Sequence, residues 1–492
     1  MKHARLLLAA IAIAACGGSS PATSHEPRSV GRSARLEDRP PRAIIGSYNA
    51  HYDAPSGEVH VEARFGAGAS GRFGLDTGAD PFVRDLEVAG DVPNATFTKA
   101  QRRGKVFIAD VCARMPCRLR YRYFLREAAK KLEDLDVASQ EGDVLEAPPS
   151  TWLLSPEDAD LGSRVRFKVT TSPGTRFVTG VFRSKDVEDA WDITLDDLST
   201  SPYSAFGPLT VSSIDVGGGG TVEIARAPGA LLVSDDDVVA WTKDAARAVT
   251  TYFGRFPMRS VLLILVPGRG PWIGDGKTLS GGGGSIFMRV GERASLRAFK
   301  DDWVLVHEMT HLAFPSVARQ HNWAEEGLAT YVEPFARARA GTMTEAEAWA
   351  GLIEGLPNGT PRAGDKGLDR TPTWGRTYWG GAMFWFVADV EIRKRTQNRF
   401  GLEHALRGIL AVGANNAQRW ALDDALNLGD AAIGVNVLRD LHAQMGNDPH
   451  PIDFEALLQS LGISIVKGRV RFDDNAPLAS IRKAITERPP VE

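Results

Sequence analysis

Cysteine is scarce in this chain, with three residues among 492, at Cys16, Cys112 and Cys117. This scarcity excludes a disulfide-dense scaffold and a zinc site built from a cysteine cluster. Neither sign of charge dominates, because 58 Lys and Arg residues face 61 Asp and Glu residues, for a net charge of −3. No basic field therefore predicts a nucleic-acid partner. Histidine is also rare, with ten residues, so any close pair of histidines is informative.

Long apolar runs are absent beyond the N-terminus. The run Leu6–Ala15 follows Lys2 and Arg5 and is too short to span a membrane as a mature helix. This pattern is typical of a secretory signal. The run leads into Cys16 through Ile-Ala-Ala, which resembles the lipobox of bacterial lipoproteins, and the resemblance implies a lipid on that cysteine. An ordinary signal peptide with an incidental cysteine is the alternative.

The first 43 residues are therefore expected to contain a signal peptide (1–15) and a disordered tether (16–43) rich in Ser, Pro, Gly and Arg. We expect an exported protein, lipid-anchored to the bacterial cell envelope. An oxidising compartment would permit a small-loop disulfide between Cys112 and Cys117. Two free thiols are the alternative.

The remaining chain changes character near residue 230. Alternating polar and apolar residues predict an N-terminal antiparallel β domain over 44–229. Helix and strand patterns mix over 230–340, and helices dominate over 341–492. The clearest strand segments are Glu58–Phe65, Arg118–Phe124, Val165–Val169, Val261–Val266 and Ser285–Val290, and the clearest helix is Asp235–Phe253. The fold class is α+β and multidomain.

One short motif carries most of the functional signal. Residues 307–311 read His-Glu-Met-Thr-His. On a helix, positions i and i+4 share a face, so His307 and His311 can bind one zinc ion. Glu308 lies beside the first ligand, where its carboxylate can act as the base for a water activated by zinc.

A third ligand is expected because catalytic zinc commonly has three protein ligands and an open position. The segment Asn322–Glu333 begins eleven residues after His311 and is helix-like. Glu325 and Glu326 both qualify on chemistry. An acidic helix start without a metal role is the simpler alternative.

Together these residues resemble the gluzincin metallopeptidases, whose His-Glu-x-x-His motif is followed by Trp-x-x-Glu-Gly-x-x-x-Tyr, here Trp323 to Tyr331. The region from Trp303 to Leu410 is most similar to the glycyl aminopeptidase family, with its Tyr-x-x-Gly helix at Tyr378. The resemblance implies a thermolysin-like α/β catalytic domain with Glu326 as the zinc ligand. It also implies that the Tyr378 hydroxyl stabilises the oxyanion of the reaction.

The same resemblance implies a glycine-rich edge strand that pairs with the backbone of a peptide substrate. Gly282, Gly283 and Gly284 are the residues expected to do so. The chain departs from the family pattern because no Glu lies between Gly281 and Val290, and family aminopeptidases use that Glu for the substrate's amino terminus. Family members commonly carry a PDZ domain, and the thirty residues after Gly462 are too few for one.

A second motif competes with the zinc motif. The segment Phe73–Asp80 resembles the catalytic turn of aspartic proteases, but those enzymes need two facing aspartates, and Asp76 has no second copy of its motif. The sequence therefore predicts an envelope-anchored zinc metallopeptidase with a peptide or protein substrate. The alternative is an envelope lipoprotein that uses a peptidase-like fold for peptide or protein binding without catalysis.

Overall fold

The computed structural model describes residues 43–76 and 78–488. The predicted signal peptide, Cys16 and almost all of the tether lie outside the described residues. All described residues belong to one compact unit. Among them, no helix combines the length and the apolar character that crossing a bilayer requires.

The first half is rich in strands, and its described residues include four short α-helices. Its strands are β1 (Ile44–Asp53), β2 (Glu58–Phe65), β3 (Arg72–Gly74), β4 (Val83–Gly90), β5 (Thr98–Lys99), β6 (Gln101–Arg103), β7 (Val106–Ile108), β8 (Cys117–Tyr123), β9 (Ser139–Glu141), β10 (Val144–Glu146), β11 (Ser155–Pro156), β12 (Arg164–Thr171), β13 (Arg176–Thr179), β14 (Trp191–Thr194) and β15 (Ser204–Gly207). The helices are α1 (Asp110–Arg114), α2 (Leu125–Leu132), α3 (Pro149–Trp152) and α4 (Leu195–Leu198).

These strands form one large sheet and two smaller ones. The large sheet has the order β14-β12-β1-β2-β8-β4-β5, and the small sheets have the orders β13-β15-β10-β9 and β11-β3-β7-β6. The prediction of a purely antiparallel domain is wrong at one place, because β1 and β12 pair in parallel. The chain makes this pair by returning to β1 after more than a hundred residues. A disulfide joins Cys112 in α1 to Cys117 at the start of β8.

The second half is built on a five-stranded mixed sheet. Its strands are β16 (Thr210–Gly217), β17 (Gly220–Arg226), β18 (Ser260–Gly268), β19 (Ile273–Ser280) and β20 (Gly284–Gly291). They follow the order β16-β17-β18-β20-β19, which leaves β19 at one edge. The central strands are buried, as the apolar run of β18 indicates.

Helices cover this sheet and continue to the end of the described chain. They are α5 (Asp235–Phe253), α6 (Leu296–Asp301), α7 (Val304–His311), α8 (Asn322–Ala340), α9 (Glu345–Gly355), α10 (Gly381–Arg395), α11 (Leu402–Ala411), α12 (Leu422–Ile433), α13 (Leu438–Met445), α14 (Phe454–Ser460) and α15 (Ala479–Thr486). A hairpin of β21 (Ile463–Val466) and β22 (Arg469–Phe472) precedes α15. One hydrophobic core runs from Val216 to Ile485, so the predicted catalytic and helical regions share it. The α+β architecture, rich in sheet first and in helix later, is confirmed.

Candidate functional site

The helix that carries the histidine motif is fixed at its beginning by a buried carboxylate. Asp302 accepts hydrogen bonds from the backbone N–H groups of Val304 and Leu305, at 3.0 and 3.2 Å. The indole of Trp241 donates at 3.0 Å to Oδ2 of Asp302, the oxygen that also accepts from Leu305. Asp302 thereby satisfies two free donors at the start of α7. The helix then runs through both histidines and ends at His311.

The structure brings the three predicted ligands together. The Nε2 atoms of His307 and His311 lie 3.5 and 3.4 Å from Oε2 of Glu326. One ligand atom from each side chain lies within 4.8 Å of the others. Zinc bonds of 2.0–2.2 Å in a tetrahedron place ligand atoms about 3.3 Å apart. The donor set and its spacing therefore fit a zinc ion with three protein ligands.

The neighbouring Glu325 forms hydrogen bonds outside the ligand cluster. Glu325 accepts a hydrogen bond from the backbone N–H of Val317 at 2.9 Å and one from Asn416 Nδ2 at 3.2 Å. Burial raises the pKa of Glu325 to about 7. Its carboxylate therefore ties α8 to two loops, while Glu326, one residue later on the helix, faces the histidines. The chemical ambiguity between the two glutamates is resolved by their direction on α8.

The Glu326 carboxylate interacts favourably with both histidines. Burial disfavours the protonated form of His311, but the Glu326 carboxylate outweighs burial and raises the pKa of His311 to about 9. Burial likewise opposes ionisation of Glu326, yet His311 and His307 hold the pKa of that carboxyl well below its usual range. The site is thus built for a positive charge, and binding of a metal ion would release the proton of His311.

Glu308 is held by an edge-strand residue that the sequence did not single out. The hydroxyl of Thr278, in β19, lies 2.7 Å from Oε2 of Glu308 and 3.0 Å from its backbone oxygen. The strand and the helix approach each other so closely at Gly276 that a Cβ there would stand 2.6 Å from Glu308 Cγ. The glycine therefore permits the contact. Thr278 therefore fixes the rotamer of Glu308, while the carboxylate remains beside the ligand group. The alternation of side chains along β19 was too weak to reveal this contact.

Tyr378 lies in a π-helical turn, Gly375–Gly380, directly before α10. Its ring stacks over that of His307, with centroids 6.5 Å apart and planes 21° apart. Burial, and then the charges of Glu326 and Glu308, raise the pKa of Tyr378 above its ordinary value. The hydroxyl therefore keeps its proton and remains a hydrogen-bond donor. A buried ion pair of 2.8 Å between Arg376 and Asp365 anchors the turn.

Two glycines allow the tyrosine segment to lie against the ligand helix. A Cβ at Gly327 would stand 2.3 Å from Gly381 Cα, and a Cβ at Gly381 would stand 2.1 Å from the carbonyl oxygen of Trp323. No larger residue fits at either position without moving a backbone. Gly327 follows Glu326 directly, and Gly381 ends the Tyr-x-x-Gly motif. The spacing of both motifs thus reflects one contact between α8 and α10.

The predicted substrate-binding glycines, Gly282, Gly283 and Gly284, do not form the free edge. The N–H of Gly282 donates to the carbonyl of Ala417 at 3.2 Å, and the N–H of Gly284 donates to the carbonyl of Gly180 at 3.0 Å. These groups are used within the chain and are not free to pair with a peptide. The edge of the sheet beside α7 is β19, and the role of the three glycines in binding a substrate stays a prediction.

Two other sequence features lie away from this group. Asp76 follows β3, where its backbone N–H donates to the carbonyl of Ser150 at 3.1 Å, and it belongs to the sheet-rich half. Glu333 is buried on α8 and forms an ion pair of 2.8 Å with Arg337. Neither supplies an atom to the ligand cluster of His307, His311 and Glu326.

No family model and no curated protein matches this sequence. Solved structures do match. An aminopeptidase N family protein from Idiomarina loihiensis aligns with a TM-score of 0.65 at 13% identity, over 86% of this chain and 79% of that chain. An M1 zinc metallopeptidase from Deinococcus radiodurans aligns with a TM-score of 0.52 at 13% identity, over 84% of this chain and 96% of that chain. A variant of that peptidase bound to a Tyr-Ser-Ala substrate aligns equally well.

At 13% sequence identity, the structural similarity shows a shared fold. It extends over more than four-fifths of the chain and includes both the sheet-rich half and the helical half. It agrees with the gluzincin resemblance of the zinc motif. The chain therefore has the fold of the M1 zinc metallopeptidases.

Proposed function

We propose that this chain is a zinc-dependent metallopeptidase that hydrolyses peptide bonds. The observation that carries the proposal is the convergence of His307, His311 and Glu326 at tetrahedral spacing, with the Glu308 carboxylate close enough to act on the charge of His311. A protein that only binds peptides has no use for a positioned base next to a metal site. The fold shared with M1 zinc metallopeptidases supports the same reading.

The residues take separate roles in this mechanism. The two histidines and Glu326 hold the ion, which when bound supplies a Lewis acid that polarises a carbonyl and acidifies water. Glu308 removes a proton from the attacking water and returns it to the leaving amine. Thr278 keeps the Glu308 carboxylate in place through the 2.7 Å contact. Tyr378 donates a hydrogen bond to the oxyanion as charge develops.

The role of Tyr378 is tested by Tyr378→Phe. The change removes one hydroxyl and its hydrogen bond to Glu326, but it keeps the ring that stacks over His307 and all three zinc ligands, so the variant should fold and bind zinc. We expect kcat to fall on the order of 10²–10³-fold, the usual effect of removing one oxyanion donor, with little change in KM. An unchanged kcat in the folded, zinc-loaded variant would show that Tyr378 has no part in the reaction.

The substrate is proposed to be an extended peptide paired with β19. This strand lies at the edge of the sheet beside α7, and such edges hold peptides through their main chain. A related solved structure is bound to a Tyr-Ser-Ala substrate. The direct experiment incubates the purified protein with a peptide mixture, half with free and half with acetylated amino termini, and identifies fragments by mass spectrometry.

Each outcome of that experiment has a clear meaning. Cleavage confined to peptides with free amino termini assigns aminopeptidase action, and cleavage of both halves assigns endopeptidase action. No fragments at all, with peptides retained by the protein, would favour the binding lipoprotein over the enzyme.

Exposed tryptophans beside the site predict a preference for aromatic or large apolar side chains. Trp303, 44% exposed, precedes α7 and lies edge-on to His307 at 5.7 Å. Trp374 is 48% exposed, and its ring centroid lies 6.2 Å from that of Tyr378. Replacing either with Ala should lower kcat/KM about tenfold for peptides with aromatic side chains at the cleavage site, and much less for glycine-rich peptides.

A third exposed tryptophan provides the matched control. Trp272, 47% exposed, stands six residues before Thr278, which is about 20 Å along an extended strand. Trp272→Ala should leave the preference unchanged. Equal effects of all three substitutions on every peptide would refute a specificity role.

We further propose that the protein is exported and anchored to the cell envelope by a lipid on Cys16. The sequence pattern of residues 1–16 supports this. Cys16→Ser should move the protein from the membrane fraction to the soluble fraction and abolish labelling by a fatty-acid analogue. Labelling that persists in this variant would contradict the proposal.

A further inference from the structure

A second group of possible metal ligands lies outside the proposed catalytic site. It consists of His321, Asp369 and His442, and one ligand atom from each lies within 4.8 Å of the others. Nδ1 of His321 lies 2.7 Å from Oδ1 of Asp369, and Nε2 of His442 lies 3.0 Å from Oδ2 of the same carboxylate. The histidine rings stand nearly perpendicular, with centroids 5.7 Å apart. Two imidazoles and a carboxylate are ligands that zinc prefers.

Each of these side chains also has a polar partner outside the cluster. Nδ1 of His442 lies 3.2 Å from the Asp423 carboxylate, and Nε2 of His321 lies 3.0 Å from Gln320 Nε2. Trp323 Nε1 donates to the Asp369 carboxylate at 2.7 Å. Outer partners of this kind usually orient metal ligands in proteins, and Asp423 favours the tautomer of His442 that leaves Nε2 for an ion.

The charge of the cluster and its exposure to solvent also suit a divalent cation. Asp369 and Asp423 bring two carboxylates to one pair of imidazoles, so a doubly charged ion would neutralise the group. The side chains of His321, Asp369 and His442 are 16%, 9% and 14% exposed. An ion can therefore reach them from solvent, although the site is largely shielded from water.

The spacing requires a small adjustment. Ligand atoms around tetrahedral zinc lie about 3.3 Å apart, whereas the contacts to Asp369 are 2.7 and 3.0 Å. Each of these two contacts would open by about half an ångström, and the two histidine nitrogens, within 4.8 Å of each other, would settle at the same tetrahedral spacing. Without an ion, the same contacts are hydrogen bonds from the two imidazoles to the carboxylate.

We propose that His321, Asp369 and His442 form a second, structural site for zinc or a similar divalent transition metal. The three ligands come from three separate segments: the turn Arg319–His321 before α8, the turn Leu368–Arg370 before the Tyr378 segment, and α13. An ion there would clamp the start of the Glu326 helix to the segment that leads to Tyr378. This site stands on its own residues and does not depend on the peptidase function.

Metal counting tests the proposal. The purified protein, free of any histidine tag, is loaded with Zn²⁺, desalted, and measured by inductively coupled plasma mass spectrometry. We expect about two zinc ions per chain in the wild type, one in Glu326→Ala, one in Asp369→Asn or His442→Asn, and none in the combined variant. His60→Gln, which changes a half-exposed histidine outside both groups, should keep two.

A second measurement covers the case in which a variant folds poorly. In Glu326→Ala, added Zn²⁺ should still raise the Tm through the second site, and His442→Asn in that background should remove the response. A wild type that holds one zinc, lost with Glu326→Ala and unaffected by His442→Asn, would overturn the second site and leave the peptidase proposal intact. If the wild type holds one zinc ion and loses it only in His442→Asn, the second site is supported and the catalytic zinc site is refuted.

Discussion

Glu308→Gln should abolish peptide hydrolysis while zinc stays bound. The substitution keeps the length and shape of the side chain and its hydrogen bond to Thr278, but an amide accepts no proton from water. We expect kcat to fall on the order of 10³–10⁴-fold, in the upper part of the range for loss of a general base, because the same group also protonates the leaving amine. Peptide cleavage by mass spectrometry and zinc content on the same sample check the result.

The matched control is Glu325→Gln, which makes the same chemical change 17 positions later. Glu325 accepts hydrogen bonds from Val317 and Asn416 and supplies no atom to the ligand cluster. It should lose some stability and keep most of the activity. Near-wild-type cleavage by Glu308→Gln would rule out Glu308 as the base, whatever the role of the metal.

Glu326→Ala should remove the catalytic zinc and the activity together. The change takes away the one carboxylate among the three ligands, which lies 3.4–3.5 Å from both histidines. We expect zinc affinity at this site to fall 100-fold or more, beyond the usual effect of losing an outer partner. Competition with a calibrated zinc chelator measures the affinity.

The two substitutions differ in a way that separates binding from chemistry. Glu308→Gln should lose activity with zinc retained, whereas Glu326→Ala should lose both, and excess zinc should restore part of the activity only in Glu326→Ala. Full zinc affinity in Glu326→Ala would mean that another residue completes the site.

The regular elements could be predicted where local patterns are strong. The alternation in Glu58–Phe65 matches β2, and the amphipathic segment Asp235–Phe253 matches α5 to the residue. The buried run at Val261–Val266 lies within β18. In each case the period of apolar residues directly reports the buried face.

Features set by distant contacts could not be predicted. The parallel pairing of β1 with β12 joins segments more than a hundred residues apart, and nothing in either strand specifies its partner. Strand β19 reads Ile-Gly-Asp-Gly-Lys-Thr-Leu-Ser. Its two glycines hide the alternation, although one of them permits the close approach to Glu308. The predicted edge was therefore placed on the more conspicuous glycines after it.

More of the candidate site than of the strand pairing could be predicted, because the spacing of its residues along the sequence is informative. The i, i+4 pair of histidines brought their side chains to one face of α7 without any tertiary information. The choice between Glu325 and Glu326 needed the family resemblance, because both are carboxylates at adjacent positions. The place of Tyr378 depends on the contact between Gly327 and Gly381, which the sequence shows only as two separate motifs.

The most direct test of the account is the metal dependence of peptide cleavage by the wild-type protein. Fragments are measured before chelation, after removal of metal with a chelator and desalting, and after zinc is restored. Cleavage should disappear when the metal is removed and return when zinc is restored. Cleavage that continues at the original rate in protein shown to be metal-free would contradict the central claim.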